Sequence, residues 1–332
     1  MAKVAINGLG RIGRATFKTI FDTPELDLVA VNDIAPWDNL VYLLGYDTVY
    51  GRWEKNIELD GDTLVVDDTR VKTTQERDPS QLPWGELGVD IVFECTGVFT
   101  KQEDMKKHLQ AGAKWVILSA PTKSADVPTI VHGVNRPDES IQMTSCASCT
   151  TNSITPVVEI MERRIGIKKA VMTTIHGYTS TQRLVDLPHK RWRRGRAAAA
   201  NLVPTTTGAA IATSKALPQF VGKFDGVAVR VPVPVGSLSD ITFLTSRPTT
   251  VEEVNQIFGE EAETERYKGI FGATDDPIVS SDIIKDARAS IIDLGMTRVV
   301  DGDLVKVMAW YDNEWGYANQ MVRHAVSLVT GA

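Results

Sequence analysis

Between a strand-like run, Lys3 to Ile6, and a helix-like run that extends to Phe21, the chain carries Gly8, Gly10 and Gly13 in G-x-G-x-x-G spacing. The first glycine permits a tight turn, the second lets backbone approach a pyrophosphate, and the third lets helix and strand pack closely. Free N–H groups at the helix start, near Arg11 and Ile12, would then point at the anion. Asp33 follows Gly13 by the roughly 20 residues that this fingerprint uses, at the end of the next strand-like run. A carboxylate there accepts hydrogen bonds from an adenosine ribose and repels a 2′-phosphate, which favours NAD over NADP. The same residues also fit a glycine turn without a ligand and an aspartate that caps a loop.

A second constellation lies near mid-chain. Cys149 stands in Ser148-Cys149-Thr150-Thr151-Asn152, just before a helix-like stretch that can continue through Arg164. A cysteine at a helix start feels the positive end of the macrodipole and unpaired N–H groups, both of which favour thiolate. The alternative is a cysteine packed as a small hydrophobe, although its Ser, Thr and Asn neighbours are poor company for an apolar pocket. His176 ends the strand-like run Ala170 to Ile175, where a base can be aimed at a nucleophile on another element. A lone histidine there also fits a structural role. Cys146 and Cys149 form a C-x-x-C, the spacing of thiol–disulfide exchange proteins, and a sulfenic acid on Cys149 resolved by Cys146 is one use for it. The other is that Cys146 fills volume. A zinc site lacks a second C-x-x-C or a histidine pair.

These residues need rigid elements beneath them. Runs at Lys3–Ile6, Leu28–Val31, Ile91–Cys95, Trp115–Ser119 and Ile130–Val131 alternate with stretches long enough for helices, which argues for a doubly wound parallel sheet. After about residue 150 the runs Ala170–Ile175, Gly226–Val235, Leu238–Thr245, Ser290–Leu294 and Val305–Tyr311 are longer and often alternate, which argues for a mixed or antiparallel sheet. Gly316 to Val329 reads as a helix with Met321, Val322, Ala325 and Val329 on one face. The fold class is therefore α/β, a Rossmann-type doubly wound domain followed by an α+β domain. At 332 residues, 43% apolar and 23% charged, the chain is an ordinary globular one with room for two domains. Lys+Arg 36 against Asp+Glu 42 gives −6, so nothing draws the whole molecule to nucleic acid or an anionic membrane. Three cysteines are too few for a disulfide framework, and neither a signal peptide nor a membrane-length apolar run is visible, so a cytoplasmic location is expected.

Five blocks carry a resemblance. Ile6-Asn7-Gly8-Leu9-Gly10-Arg11-Ile12-Gly13-Arg14, Ser148-Cys149-Thr150-Thr151-Asn152, His176-Gly177-Tyr178-Thr179, Pro204-Thr205-Thr206-Thr207-Gly208-Ala209-Ala210 and Trp310-Tyr311-Asp312-Asn313-Glu314-Trp315-Gly316-Tyr317 run in order across nearly the whole chain. Together they resemble phosphorylating glyceraldehyde-3-phosphate dehydrogenases of the NAD-dependent, bacterial-like kind. The resemblance implies an NAD-binding domain over 1–148, completed by a C-terminal helix over 313–332, and a catalytic domain over 149–312. It implies oxidative phosphorylation of D-glyceraldehyde 3-phosphate to 1,3-bisphosphoglycerate in glycolysis and gluconeogenesis, with Cys149 as nucleophile and thioester carrier and His176 as general base. Thr179 and Arg230 stand where the family binds the substrate's C3 phosphate, and Ser148, Thr150, Arg194, Thr207 and Gly208 match its inorganic-phosphate region. Arg11, Ile12, Asp33, Arg77, Ser119 and Asn313 match the NAD contacts beside the three glycines, Asn313 at the nicotinamide amide. It further implies a homotetramer and no metal.

Two rival functions remain beside it. His189-Lys190-Arg191-Trp192-Arg193-Arg194-Gly195-Arg196 resembles a single-strand-binding patch, but the family places this segment in a loop near a neighbouring subunit's cofactor, and nucleic acid is not expected as the main partner. Erythrose-4-phosphate dehydrogenase shares the framework and releases a free acid, whereas the Tyr178-Thr179 and Thr205-Thr206-Thr207-Gly208 blocks resemble the phosphorylating branch. Three positions depart from the family's usual residues: Cys146 for Asn, Ile211 for Lys, and Val235-Gly236-Ser237 for Asn-Val-Ser. The last two bear on phosphate affinity if they lie where their neighbours in sequence do.

Overall fold

The computed structural model describes residues 1–138 and 140–331. They fall into two compact units, one comprising Met1–Ile130, Arg136–Ala147 and the chain from Ala318 onward, the other Val131–Asn135 and Ser148–Tyr317.

In chain order the first unit contains β1 (Ala2–Asn7), α1 (Arg11–Phe21), β2 (Leu26–Asn32), α2 (Trp37–Gly45), β3 (Tyr46–Asp47), β4 (Gly51–Arg52), β5 (Ile57–Asp60), β6 (Thr63–Val66), β7 (Thr69–Thr74), α3 (Trp84–Leu87), β8 (Ile91–Glu94), α4 (Gln102–Gln110), β9 (Trp115–Leu118) and β10 (Met143–Ser145). Its main sheet has eight strands in the order β10-β9-β8-β1-β2-β7-β6-β5. Pairing is parallel from β10 across to β7, and only the β7-β6-β5 edge is antiparallel. The order runs outward in both directions from β1, so the doubly wound reading holds, and the switch point lies at the carboxyl ends of β1 and β8, where such folds bind ligands. Strands buried on both faces explain the unbroken apolar runs: Val4, Ala5, Ile6, Val92 and Phe93 are wholly buried. The run Ile130–Val131 is not a strand. Thr129 makes a lone bridge to Ser145, and Met143–Ser145 takes the edge position instead.

The second unit contains α5 (Cys149–Arg164), β11 (Ile167–Gly177), β12 (Val203–Thr206), α6 (Ala209–Ala216), β13 (Phe224–Val231), β14 (Ser237–Thr245), α7 (Val251–Ala262), β15 (Phe271–Thr274), β16 (Ser290–Asp293), β17 (Arg298–Val300) and β18 (Leu304–Tyr311). Its mixed sheet runs β12-β13-β11-β14-β18-β16-β15, with β17 on β18. The run predicted to reach Val235 stops at Val231 because Pro232 and Pro234 follow, and proline has no N–H for the ladder. A core built from α5, α7 and this sheet includes Val157, Met161, Phe243, Phe258 and Tyr267.

Helix α8 (Trp315–Thr330) starts where Asp312 Oδ1 accepts the N–H groups of Glu314 and Trp315 at 2.9 and 2.8 Å. Its later turns belong to the first unit, in which His324 Nε2 meets the buried Thr144 hydroxyl at 3.0 Å. Among the described residues no helix is long and apolar enough to cross a membrane.

Candidate active site

Cys149 is the first residue of α5, and Ser148 caps that helix by accepting the Thr151 N–H at 3.1 Å. The thiol meets His176: Sγ lies 3.4 Å from Nε2. Sheet register explains what surrounds the histidine. His176 on β11 is the parallel partner of Arg230 on β13, and Arg230 is the antiparallel partner of Val203 on β12. The register therefore delivers the Arg230 guanidinium to the ring, where Nη1 touches Nδ1 and also donates to the Gly177 carbonyl at 2.9 Å. Tyr311, opposite Ser237 at the end of β18, backs the site. Its ring stands edge-on to His176 at 6.0 Å, and its hydroxyl meets those of Thr150 and Thr174 at 2.8 and 2.7 Å.

Burial sets the proton affinities. His176 is pushed down to about 3, first by burial and then by the Arg230 charge, so it is a free base at neutral pH. The helix start was expected to favour the Cys149 thiolate. Arg230 and the backbone N–H groups do pull in that direction, but burial outweighs them and the thiol is raised. The resting pair is thus a thiol facing a neutral imidazole. A second cation stands close by. Arg194 donates to the hydroxyls of Thr205 and Thr181 at 3.0 and 3.4 Å and is lowered to about 10 by burial and by Arg230. Two desolvated guanidiniums beside hydroxyls suit a dianion.

The other expected anion contacts are partly committed elsewhere. Thr179 Oγ1 pairs with Thr181 Oγ1 at 2.9 Å, Thr207 Oγ1 accepts the Ala209 N–H at 3.2 Å, and Gly208 caps α6. Thr150 points to Tyr311, so the structure brings its hydroxyl to the wall of the site rather than to either arginine. Tyr311 itself was missed as a functional residue. The signal available was its place in the Trp310–Tyr317 block, but nothing in its type distinguished it from core.

In the first unit the glycine turn is built as the fingerprint requires. Gly8 has φ +95°, and a Cβ there would lie 2.8 Å from the Thr96 nitrogen. A Cβ on Gly13 would lie 1.9 Å from the Gly8 oxygen. Gly10 supplies no side-chain cap to α1, whose first residues are Arg11 and Ile12. The Arg11 side chain pairs with Asp47, a partner invisible in the spacing. Asp33 receives the Leu9 and Ala35 N–H groups at 2.6 and 2.9 Å, Arg77 is exposed, and Ser119 directly follows β9. These groups fit a dinucleotide: a cradle that a single Cβ would fill, a helix start without a capping side chain for the pyrophosphate and a carboxylate for the ribose. Asn313 belongs to the second unit, where Oδ1 accepts from Ser237 Oγ at 2.8 Å and the Gly236 N–H at 3.2 Å.

Residues 148–313 match the family model described as glyceraldehyde 3-phosphate dehydrogenase, C-terminal domain, and residues 2–102 match that of its NAD binding domain. The chain belongs to the glyceraldehyde 3-phosphate dehydrogenase family. Proteins named glyceraldehyde-3-phosphate dehydrogenase from Thermotoga maritima, Streptomyces coelicolor and Geobacillus stearothermophilus are 50%, 48% and 47% identical to it, over 97%, 96% and 96% of both chains.

Set in this glyceraldehyde 3-phosphate dehydrogenase family framework, two of the departures acquire a different meaning. Gly236 has φ +95°, and a Cβ would lie 2.5 Å from the Ser280 oxygen, so this tripeptide shapes the Asn313 support rather than a phosphate contact. Ile211 is exposed on α6. Cys146 lies in the first unit just past β10, buried, and its thiol, raised mainly by burial, shares its electrostatic surroundings with Cys95; the following residue, Ala147, has φ 55°. All three cysteines are thiols in this structure.

Proposed function

We propose that the chain oxidises and phosphorylates D-glyceraldehyde 3-phosphate to 1,3-bisphosphoglycerate with NAD, through a Cys149 thioester, in glycolysis and gluconeogenesis. The 3.4 Å contact between Cys149 Sγ and His176 Nε2, beside Arg230, is the observation that carries it. His176, neutral and within reach, takes the thiol proton as sulfur adds to the aldehyde carbon. N–H groups at the start of α5 and the imidazolium then hold the oxyanion of the thiohemiacetal. Bound NAD supplies the hydride acceptor that this oxidation needs. The imidazolium returns its proton to the oxyanion, and His176 takes it back as hydride leaves and the thioester forms. Inorganic phosphate then attacks the thioester carbon, the acyl phosphate departs, and the Cys149 thiolate released recovers its proton from His176. Arg230 with Thr179, and Arg194 with Thr207, Gly208, Ser148 and Thr150, are assigned to the two phosphates.

The nucleotide belongs on Gly8, Gly10, Arg11, Ile12, Gly13, Asp33, Arg77 and Ser119 in the domain 1–148 with its C-terminal helix over 313–332, and Asn313 serves its nicotinamide amide. The catalytic domain is 149–312. The assembly is a homotetramer in the cytoplasm. Leu184, Val185, Leu187, Trp192 and Leu202 are all more than half exposed in one loop region, which supports burial against a second copy. The test mixes enzyme, NAD and D-glyceraldehyde 3-phosphate with and without phosphate or arsenate and follows reduced-cofactor absorbance. A steady rate that requires the anion supports the proposal, and a rate indifferent to it points to hydrolysis and overturns it.

A further inference from the structure

Beneath the glycine turn lies a fully buried carboxylate that the reaction does not use. Glu94, at the end of β8, is 0% exposed, and hydrogen bonds reach it along three routes whose direction is fixed at the source. The Trp84 indole can only donate, and it donates to His108 Nδ1 at 3.0 Å, so the His108 proton is on Nε2 and is directed at Glu94 Oε2, 3.1 Å away. The Glu76 backbone N–H donates to Asn32 Oδ1 at 2.8 Å, which orients that amide to donate to Asn7 Oδ1 at 2.8 Å. Asn7 Nδ2 in turn donates to Glu94 Oε2 at 2.6 Å. Third, Thr96 donates both its backbone N–H, at 2.8 Å, and its hydroxyl to Glu94 Oε1, while the Val98 N–H occupies the hydroxyl's acceptor side at 3.1 Å. Both carboxylate oxygens therefore act only as acceptors.

Two of these routes end on the turn itself. Asn7 immediately precedes Gly8, and the Thr96 backbone is the surface against which Gly8 packs, with no room for a Cβ between them. We propose that Glu94 is the positioning residue of the dinucleotide-binding turn, fixing Asn7 and Thr96 and through them the backbone that receives the cofactor's pyrophosphate. The proposal rests on the NAD reading above. It also explains why an amide cannot stand in for the acid: whichever way a glutamine turns, its NH₂ faces a donor that cannot reverse.

The test is Glu94→Gln, with NAD affinity measured by calorimetry and melting temperature measured without NAD. Leaving buried donors unsatisfied is worth roughly a tenfold change or more in an equilibrium constant, so the NAD Kd should rise about tenfold or more. Alkylation of Cys149 in the NAD-free protein should keep its parental rate. Thr96→Val, which removes one donor and keeps the volume, should raise the Kd severalfold and remains informative if Glu94→Gln does not fold. Val116→Ala, a core truncation in the same unit, should lower the melting temperature and leave NAD affinity within about threefold. NAD affinity unchanged in Glu94→Gln, or in Thr96→Val should the glutamine variant not fold, overturns the proposal, as does an equal loss in Val116→Ala. A parent protein that binds no NAD overturns the cofactor reading instead.

Discussion

Arg230 is the register partner of His176 across two parallel strands, and its guanidinium meets the ring at Nδ1, the atom opposite the one that faces Cys149. One cation thus touches the base from behind and lowers both the His176 and the Cys149 proton affinities. Arg230→Ala should raise the His176 pKa and weaken glyceraldehyde 3-phosphate far more than unphosphorylated glyceraldehyde, because a charge-assisted contact is lost only where a phosphate receives it. Steady-state kinetics on both substrates and an imidazole NMR titration check this. Equal losses on both substrates would point to misfolding.

Cys149→Ser should remove the oxidative half-reaction, since a hydroxyl there is neither ionised at neutral pH nor able to form a thioester. NAD titration should be unaffected. A variant that retains a tenth of the rate would take Cys149 out of the mechanism.

His176→Asn should slow turnover by roughly 10²- to 10⁴-fold, the usual worth of a general base. Its pH dependence has a definite sign. A histidine held near 3 in the fold and near 6.5 when unfolded binds fewer protons in the native state, so it withdraws stability as pH falls through that window. The parent should lose stability relative to His176→Asn between about pH 6.5 and 3, measured by urea unfolding. Parallel stability curves would mean that His176 titrates normally.

With burial raising the Cys149 thiol, alkylation by a neutral reagent should climb with pH and reach its midpoint above the ordinary thiol range in anion-free protein. A midpoint below pH 7 would show a thiolate already formed at rest.

Gly236→Ala should destabilise the second unit and weaken NAD, because its φ of +95° and the Ser280 oxygen 2.5 Å from the new Cβ leave the methyl no place. The change displaces the N–H that holds Asn313. Thermal melts with and without NAD separate the two effects, and unchanged NAD affinity would dissociate Gly236 from Asn313.

Periodicity and punctuation made α1, α5, α8 and the central strands of both sheets legible: the glycines before α1 and the buried apolar runs of β1 and β8 are local signals. The β5–β7 edge was not read, because short alternating polar strands such as Ile57–Asp60 pair through a hairpin whose register is tertiary. Within the site, Cys149 and His176 were visible as residue types next to element ends. Their 3.4 Å contact joins the start of α5 to the end of β11, and the seating of Arg230 on the ring depends on β11–β13 pairing across more than 50 residues of chain; no local pattern carries either. Nor could spacing show that burial would override the helix dipole at Cys149, since desolvation is a property of the assembled core.

The hydrogen-bond partners of Arg194 and Arg230 are threonine hydroxyls, a histidine and a carbonyl, not carboxylates; burial strips water from both guanidiniums, and Arg194 also sits in the repulsive field of Arg230. Folding therefore compresses positive charge that a bound divalent oxyanion would relax, and mass action would convert that relief into stability, about 2.7 kcal/mol at a hundredfold excess over Kd. Sulfate or phosphate at fixed ionic strength should raise the melting temperature more than chloride does.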